Sequence, residues 1–160
     1  IESGSDRVLK LIKKGVTKDQ IRRGVKLAKD IGIDVRGFFM MGFPTETRED
    51  ELETIEFAKE LDVDVAQFRV STPYPGTEIW EIAKMHGEID DDWNSFTFYA
   101  PSKIPFTSKL LDQEDIVDLY KKAYRSFYLR PNFILKQLLH IRSFTDIQRR
   151  WIAVKGVLGL

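Results

Sequence analysis

The sequence contains no cysteine, so its own residues can form no disulfide bond, zinc–thiolate site or cysteine-ligated iron–sulfur cluster. It also has no apolar run near the roughly 20 residues that cross a bilayer as a helix, and no signal peptide at its amino terminus. These absences predict a cytoplasmic protein. The chain begins at Ile1 rather than Met, which suggests a fragment or a processed product.

The formal net charge is zero as well, since 25 basic residues balance 25 acidic ones. The balance hides an asymmetry, because residues 121–160 carry a net charge of +8 and residues 1–120 carry −8. A basic tail that is solvated or folds against the acidic half is the favoured interpretation. A membrane surface is a less favoured partner, and we expect no nucleic acid.

The rest of the composition is typical of a soluble globular domain. The 160 residues are 42% hydrophobic and 31% charged, and a chain of this length can bury a core. Apolar spacing and capping residues predict helices and strands in alternation. The predicted elements are a helix at 6–14, a helix at 18–31, a strand at 35–41, a helix at 48–61, a strand at 65–71 and a helix at 78–85. Ser5 is the predicted N-cap of the first helix, Thr17 and Gln20 form a capping box at the second, and Thr47, with Asp50 three residues on, can cap the helix at 48–61.

The stretch GFFMMGFPTETRED, residues 37–50, passes abruptly from the most apolar run of the chain to a polar helix start. The run is too apolar to alternate, so we predict a strand covered on both faces in a parallel sheet. Gly42 would free the backbone where the strand ends, and Pro44 would stiffen the exit. Ligands of α/β folds bind at this carboxyl end.

Two parallel strands leave two unpaired edges and cannot bury both faces, so we expect the chain to be part of a larger barrel or sheet. Residues 87–111 are predicted to form an irregular loop. Three further helices are predicted at 113–129, 132–141 and 146–158, which makes 112–160 a helical extension. Tyr120, Tyr124, Phe127 and Tyr128 have helical spacing and are interpreted as packing residues.

Three segments resemble, in order and spacing, the second half of the core of radical S-adenosylmethionine (SAM) enzymes. The segments are IESGSDRVLKLIKKG (1–15), GFFMMGFPTET (37–47) and FRVSTPYPGTEIW (68–80). They are most similar to the branch with an upstream cobalamin-binding domain. The methylthiotransferase branch is similar too, although it commonly has Gln in place of Glu2. The resemblance implies an α/β fold in which residues 1–86 form part of a (β/α)6 TIM-like barrel.

The resemblance also implies which residues contact SAM. The segment from Glu2 to Ser5 would meet the ribose and methionine, the glycine-rich strand at 37–46 the adenine, and the loop after 70 would close over the adenine. Arg69 is added because an arginine within an apolar strand must find a counter-charge or face the barrel lumen. The predicted cofactor-binding residues are Glu2, Ser3, Ser5, Gly37, Gly42, Glu46, Arg69, Ser71, Thr72 and Pro73.

Structural interpretations of the same residues remain open. Glu2 could cap the following helix or pair with a lysine, and Gly42 suits a strand-to-helix turn without any ligand. Glu46 could interact with a helix dipole instead. The acidic triplet at 90–92 is interpreted as a solvated loop, and neither His86 nor His140 has a partner nearby in the sequence. We therefore assign no metal ligand and no catalytic residue.

The CxxxCxxC loop and the second-strand glycine motif of these enzymes have no counterpart in this sequence. The resemblance therefore implies that the missing amino-terminal half of the barrel holds a [4Fe–4S] cluster, and that this chain alone is inactive. The intact protein would use SAM, cobalamin and a reductant such as flavodoxin or ferredoxin. It would methylate, cyclise or rearrange a small-molecule substrate that meets the barrel near Arg69 and Tyr74.

Two other functions are compatible with the residues. A fragment of a phosphate-binding (β/α)8 barrel would hold phosphate at the Gly42 turn, and it predicts a further strand–helix repeat downstream. A non-catalytic module would instead bind a partner through its basic helical end.

Overall fold

The computed structural model describes residues 1–90, 92, 96 and 103–139, and its mixed α/β architecture confirms the predicted class. Helices and strands alternate up to α4, and helices dominate after β4. The elements are α1 (Asp6–Leu11), α2 (Lys18–Asp30), β1 (Arg36–Met41), α3 (Arg48–Leu61), β2 (Val65–Val70), α4 (Glu78–His86), β3 (Gly87–Ile89), β4 (Phe106–Ser108), α5 (Gln113–Tyr128) and α6 (Pro131–Leu139).

The starts of α2 and α3 follow the predicted capping signals, whereas the Ser5 side chain does not cap α1. Thr17 caps α2 in a reciprocal box with Gln20, and Thr47 caps α3 in the same way with Asp50. Helix α1 is shorter than predicted. It ends at Leu11 because Lys13 takes a left-handed conformation, with φ of 54°, where the chain turns toward α2.

Strands β1 and β2 pair in parallel, with Phe39 opposite Phe68. The prediction that both faces of β1 are covered is wrong. Successive side chains point to opposite faces of a strand, and only the face with Phe39 and Met41 is buried, whereas Phe38 on the other face is 47% exposed. Apolar character on both sides of β1 therefore does not mean that both sides are covered by this chain.

The covered face packs against α3 and α5. Phe39 and Phe68 stack across the two strands with ring centroids 5.3 Å apart, and Tyr124 of α5 meets Phe68 edge-on at 5.3 Å. Burial of these large rings provides much of the core's apolar stabilisation. The predicted packing role of the aromatic residues of α5 is confirmed.

Two tyrosine hydroxyls of α5 pair the outer edge of β2. The Tyr128 hydroxyl donates to the carbonyl of Ala66 at 2.8 Å and accepts from its N–H at 3.2 Å. The Tyr124 hydroxyl bonds both backbone groups of Phe68 in the same way, at 3.2 and 3.3 Å. The two tyrosines are four residues apart, which is about 6 Å along a helix, and Ala66 and Phe68 are two residues apart, which is about 6.6 Å along a strand. Because the two spacings match, each hydroxyl reaches its own strand residue.

The outer edge of β1 is paired differently, by backbone. Glu2 forms a parallel bridge with Phe39, in which its N–H donates to the carbonyl of Phe38 at 3.0 Å and its carbonyl accepts from the N–H of Met40 at 2.8 Å. Within the described residues this bridge is the only strand pairing on that edge.

The stretch at 87–111 contains more order than the predicted irregular loop, because β3 and β4 pair antiparallel within it. The two strands lie so close that a Cβ on Gly87 would be 2.0 Å from the carbonyl oxygen of Thr107. The predicted helix at 146–158 and His140 lie outside the described residues. None of the described helices has the length and apolarity to span a bilayer.

Candidate functional site

Three chain segments come together at the carboxyl end of the parallel sheet. Glu2 lies beside β1, β1 ends at Met41, and the N–H of Ser71 just after β2 donates to the carbonyl of Met41 at 2.7 Å. The structure thus brings together residues from the three segments named above, 1–15, 37–47 and 68–80, at the point where the strands end. This region is the candidate site.

The segment after Glu2 is fastened to α3. The Ser3 hydroxyl lies 3.0 Å from the Thr54 hydroxyl, and the N–H of Gly4 donates to the same Thr54 oxygen at 2.9 Å. A Cβ on Gly4 would lie 2.6 Å from the carbonyl oxygen of Glu53, so only glycine fits against the helix. Ser5 occupies the N-cap position of α1, but its hydroxyl donates to Asp50 at 2.7 Å instead of capping.

An ion pair joins α1 to the start of α3. The Arg7 guanidinium bonds the carboxylate of Asp50 and also donates to the carbonyl of Thr45 at 2.8 Å. Partial burial favours a higher pKa for Asp50, but hydrogen bonds from Arg7, Ser5 and Thr47 outweigh burial and hold this pKa well below its ordinary value. Asp50 is therefore ionised throughout the neutral range.

Two buried carboxyl groups hold the turn that follows β1. The N–H of Gly42 donates to Oε1 of Glu51 at 2.5 Å, and the N–H of Phe43 donates to Oε2 of Glu46 at 2.8 Å. Gly42 has φ of 78°, which favours glycine, and a Cβ there would lie 3.2 Å from Ile116 of α5. Backbone conformation and the packing of α5 thus account for this glycine.

Glu46 and Glu51 are almost fully buried, and they lie close enough for each to shift the pKa of the other. Burial raises the pKa of Glu46 to about 7 and, together with the neighbouring Glu46, raises the pKa of Glu51 well above its ordinary value. Oε1 of Glu46 and Oε2 of Glu51 are buried with no hydrogen-bond partner among the described residues. A single proton held between two such oxygens would satisfy both and would remove one buried charge.

The sequence analysis missed Glu51, although a signal for it exists. Glu51 precedes Ile55 by four residues and Ala58 by seven, so helical spacing puts it on the buried face of α3. A glutamate at such a position must be neutral or paired, which would have pointed to Glu46 in the preceding turn.

The residues after β2 are buried at the same end of the sheet. Ser71, Thr72 and Pro73 are all buried, and the Thr72 hydroxyl donates weakly to the carbonyl of Val70 at 3.4 Å. The hydroxyls of Ser71 and Thr45 are buried with no hydrogen-bond partner among the described residues. Both hydroxyls lie in the loops that leave the carboxyl ends of the strands.

Glu2 and Arg69 are placed differently from the buried serines. Glu2 has φ of 78°, a strained conformation for a residue other than glycine, and its carboxylate pairs with Lys14 at 3.1 Å. Arg69 lies opposite Met40 in the register, on the open face of the sheet, where Phe38 and Gln67 also lie. The lysine pair that the sequence allowed for Glu2 is present.

Gly37 is buried against neighbouring side chains. A Cβ at this position would lie 2.8 Å from the ring of Phe39 and 3.2 Å from Ile1. Its lack of a side chain is therefore explained by packing within the chain.

In the acidic triplet, Asp90 pairs with Lys103 at 2.5 Å, and no group of three or more metal-ligating residues occurs in the part of the chain that is described.

Comparison with known proteins identifies relatives of the chain. The sequence model of the Radical SAM superfamily matches residues 1–58. An uncharacterized methyltransferase of Pyrococcus horikoshii is 43% identical over 99% of the chain and 33% of its own length. The cytidylyl-2-hydroxyethylphosphonate methyltransferase of Streptomyces wedmorensis is 31% identical over 96% of the chain and 28% of its own length.

A putative methylthiotransferase of Methanocaldococcus jannaschii is 40% identical over 82 residues, which are 51% of the chain and 18% of that protein. Each of these three proteins is therefore matched over a third of its length or less.

Proposed function

Because residues 1–58 match the sequence model of the Radical SAM superfamily, we propose that the chain belongs to this superfamily and forms the carboxyl-terminal part of the catalytic barrel of a radical SAM enzyme. Residues 1–86 would be its last strand–helix units, within a partial (β/α)6 TIM-like barrel. The resemblance of the chain to proteins named methyltransferases favours a methyl-transferring enzyme.

The observation that carries this proposal is the bridge between Glu2 and Phe39. In the proposed barrel, Ile1–Ser3 would be the end of a third parallel strand, directly beside β1. Parallel strands in sequence order, linked by helices, are the pattern from which α/β barrels are built. The carboxyl ends of the three strands would then form one continuous rim.

The residues at this rim fit a polar ligand such as SAM. The orphaned hydroxyls of Ser71 and Thr45 can donate to a bound group, and the strained conformation of Glu2 supports a functional role for the strand end. Glu2, Ser71 and the backbone after β1 would hold the cofactor. Bound SAM supplies the group that the intact enzyme transfers or the radical that it uses.

Ser3, Ser5, Gly37 and Glu46 would act indirectly, since their buried side chains or close contacts are directed at the protein itself. They support the loops whose backbone would meet the cofactor. Thr72 and Pro73 would shape the loop after β2.

A [4Fe–4S] cluster does not fit this chain, because the chain has no cysteine to ligate it. We place the cluster ligands in a part of the intact protein outside this sequence. Cobalamin and a reductant such as flavodoxin or ferredoxin remain proposals for the intact protein, which we also propose to be cytoplasmic.

The open face of the sheet would line the barrel lumen and meet the small-molecule substrate. It presents the apolar Phe38 and Met40 beside Gln67 and Arg69. A mixed apolar and cationic surface suits a substrate with an apolar body and an anionic or carbonyl group. Tyr74, exposed in the loop after β2, would lie at the mouth of this lumen.

The phosphate-binding alternative is disfavoured at the turn where it would operate. The N–H groups of Gly42 and Phe43 already donate to buried carboxyl groups, and the nearby carboxylate of Asp50 would repel an anion. The described residues also contain no further parallel strand after β2.

Anaerobic reconstitution of the intact protein with iron, sulfide, reductant and SAM tests the proposal. We expect release of 5′-deoxyadenosine or transfer of a methyl group from SAM, measured by mass spectrometry. Because Arg69 lies on the open face of the sheet, we propose that it meets the substrate and not, as predicted from the sequence, the cofactor. An Arg69→Gln variant should therefore keep SAM affinity and lose turnover of the substrate. Failure of the fully loaded protein to consume SAM would contradict the proposed function.

A further inference from the structure

We propose that Glu51 is a positioning residue: it shares one proton with Glu46, and the two carboxyl groups together hold the Gly42–Phe43 turn in its binding shape. The use of that shape for SAM rests on the proposed function. The holding of the turn does not, because it follows from contacts within this chain.

The Gly42–Phe43 turn is held by carboxyl groups from two different parts of the chain. The turn uses two successive backbone N–H groups, and each finds a different buried carboxyl oxygen, Glu51 for Gly42 and Glu46 for Phe43. Glu51 belongs to α3, whereas Glu46 belongs to the loop before it. The pair therefore ties the end of β1 to the first turn of the helix that follows.

The charged groups around Glu46 and Glu51 favour a single proton on the pair. Asp50 on α3 and Arg7 on α1 are the charged groups that face the pair, and α5 packs onto the turn through the apolar Ile116. Arg7 is already engaged by Asp50, so no other cation among the described residues balances two ionised glutamates. One shared proton leaves a single negative charge, spread over two carboxyl groups that accept two N–H bonds.

Loss of the shared proton would disturb the turn. Two buried carboxylates in contact repel each other, and at least one must move away from its N–H partner. The turn would then loosen as pH rises. Glutamine at position 51 would imitate the protonated state at every pH, since its amide can donate to Glu46 and its carbonyl can accept from Gly42.

The test uses the intact protein in four forms: wild type, Glu51→Gln, Glu51→Ala and the control Glu53→Gln, which removes an exposed carboxylate from the same helix. Hydrogen exchange of the amides of Gly42 and Phe43 is followed from pH 5 to 9, corrected for the intrinsic dependence of exchange on pH. SAM affinity is measured over the same range.

We expect exchange in the wild type and in Glu53→Gln to accelerate about tenfold or more across this range, and Glu51→Gln to remain flat and protected. Glu51→Ala should exchange about tenfold faster at low pH, where the wild type is protected. SAM affinity should weaken with pH in the wild type and stay constant in Glu51→Gln. Infrared spectra should lose the protonated carboxyl band in Glu51→Gln.

Equal pH dependence of exchange in the wild type and Glu51→Gln would overturn the inference. So would full protection of both amides in Glu51→Ala. If the wild type binds no SAM at all, the proposed function fails, and the exchange data alone then decide whether the shared proton holds the turn.

Discussion

The two outer edges of the parallel sheet are completed in opposite ways. At β2 the edge is closed by side chains, because the hydroxyls of Tyr124 and Tyr128 pair with the backbone of Phe68 and Ala66. At β1 the edge is continued by backbone, through the bridge to Glu2. A strand edge that is closed by a helix cannot take a further strand, whereas one that is bridged by a strand end can.

This difference indicates where the sheet can be extended. The sequence predicted two unpaired edges and therefore a larger barrel or sheet. The tyrosines of α5 correct the expectation of an unpaired edge at β2, because their hydroxyls pair this edge from within the chain. Only the β1 side remains for additional strands, so in the proposed barrel β2 is the terminal strand.

The largest effect on stability is expected on the β1 side, from a substitution at Gly4, where the segment after Glu2 packs against α3. In Gly4→Ala the new Cβ would meet the backbone of α3 at 2.6 to 2.7 Å, and neither side of that contact can give way easily. We expect the free energy of unfolding to fall by about 3 kcal/mol or more, measured by urea denaturation.

Gly24→Ala in α2 is the matched control. Nothing lies within 4 Å of a Cβ at this position, and alanine favours the helix, so this variant should gain about 0.5 kcal/mol or more. Equal stability of the two variants would show that the Gly4 contact with α3 is absent.

The next effect is on the β2 side. Changing both Tyr124 and Tyr128 to Phe keeps the rings but removes the two hydroxyls, so the N–H and C=O groups of Ala66 and Phe68 lose their partners. We expect a loss of about 3 kcal/mol, and a greater tendency to aggregate through the opened edge.

Each single Tyr→Phe variant should show about half of the double variant's loss. Light scattering reports the aggregation, and denaturation reports the stability. A double variant as stable and as monomeric as the parent would contradict the closed-edge interpretation of β2.

A third experiment measures how the free energy of unfolding depends on pH on the β1 side and on the β2 side of the sheet. The folded-state pKa values of Glu46 and Glu51 lie above the ordinary 4.5, so the native protein keeps a proton that the unfolded chain releases. The free energy of unfolding should therefore fall as pH rises from about 4.5 through about 7. We expect a loss of about 2 kcal/mol, which Glu51→Gln should abolish.

The β2 side should not respond in this window. Burial raises the pKa of Tyr128 above 10, so its hydroxyl stays protonated. Asp50 has a lowered pKa, and its contribution to stability is lost only as pH falls below 3.8. Stability that rises between pH 5 and 7 would contradict these assignments.

The smallest effect is expected from the surface pair of Lys13 and Glu78, which links the turn after α1 to the start of α4 at 2.6 Å. Both side chains are mostly exposed, so solvent screens the pair. Glu78→Gln should change the free energy of unfolding by less than about 0.5 kcal/mol. A larger loss would mean that the two sides of the sheet are coupled through their surface.

Local signals in the sequence predicted much of the fold. Capping at Thr17 and Thr47 fixed two helix starts, and the alternation of helices and strands predicted parallel pairing. The covered faces were predicted less well, because an apolar side chain such as Phe38 looks the same in a sequence whether this chain or another part of the protein covers it.

The candidate site was predicted by position more than by contact. Three segments were expected at the carboxyl end of the sheet, and their ends do meet there. Contacts between residues distant in sequence, such as Ser3 with Thr54 or Tyr124 with Phe68, have no local signal. Glu51 was missed because its charge suggested exposure, whereas its helical spacing indicated burial.

Site-resolved hydrogen exchange on the intact protein tests most directly whether the sheet continues past β1. The backbone groups of Phe38 face the edge where Glu2 pairs, so an adjoining strand would bond the N–H of Phe38. We predict that this amide is protected as strongly as those of Ala66 and Phe68, which the tyrosines bond. Exchange of Phe38 at the rate of an unstructured peptide, with Ala66 and Phe68 still protected, would contradict the account.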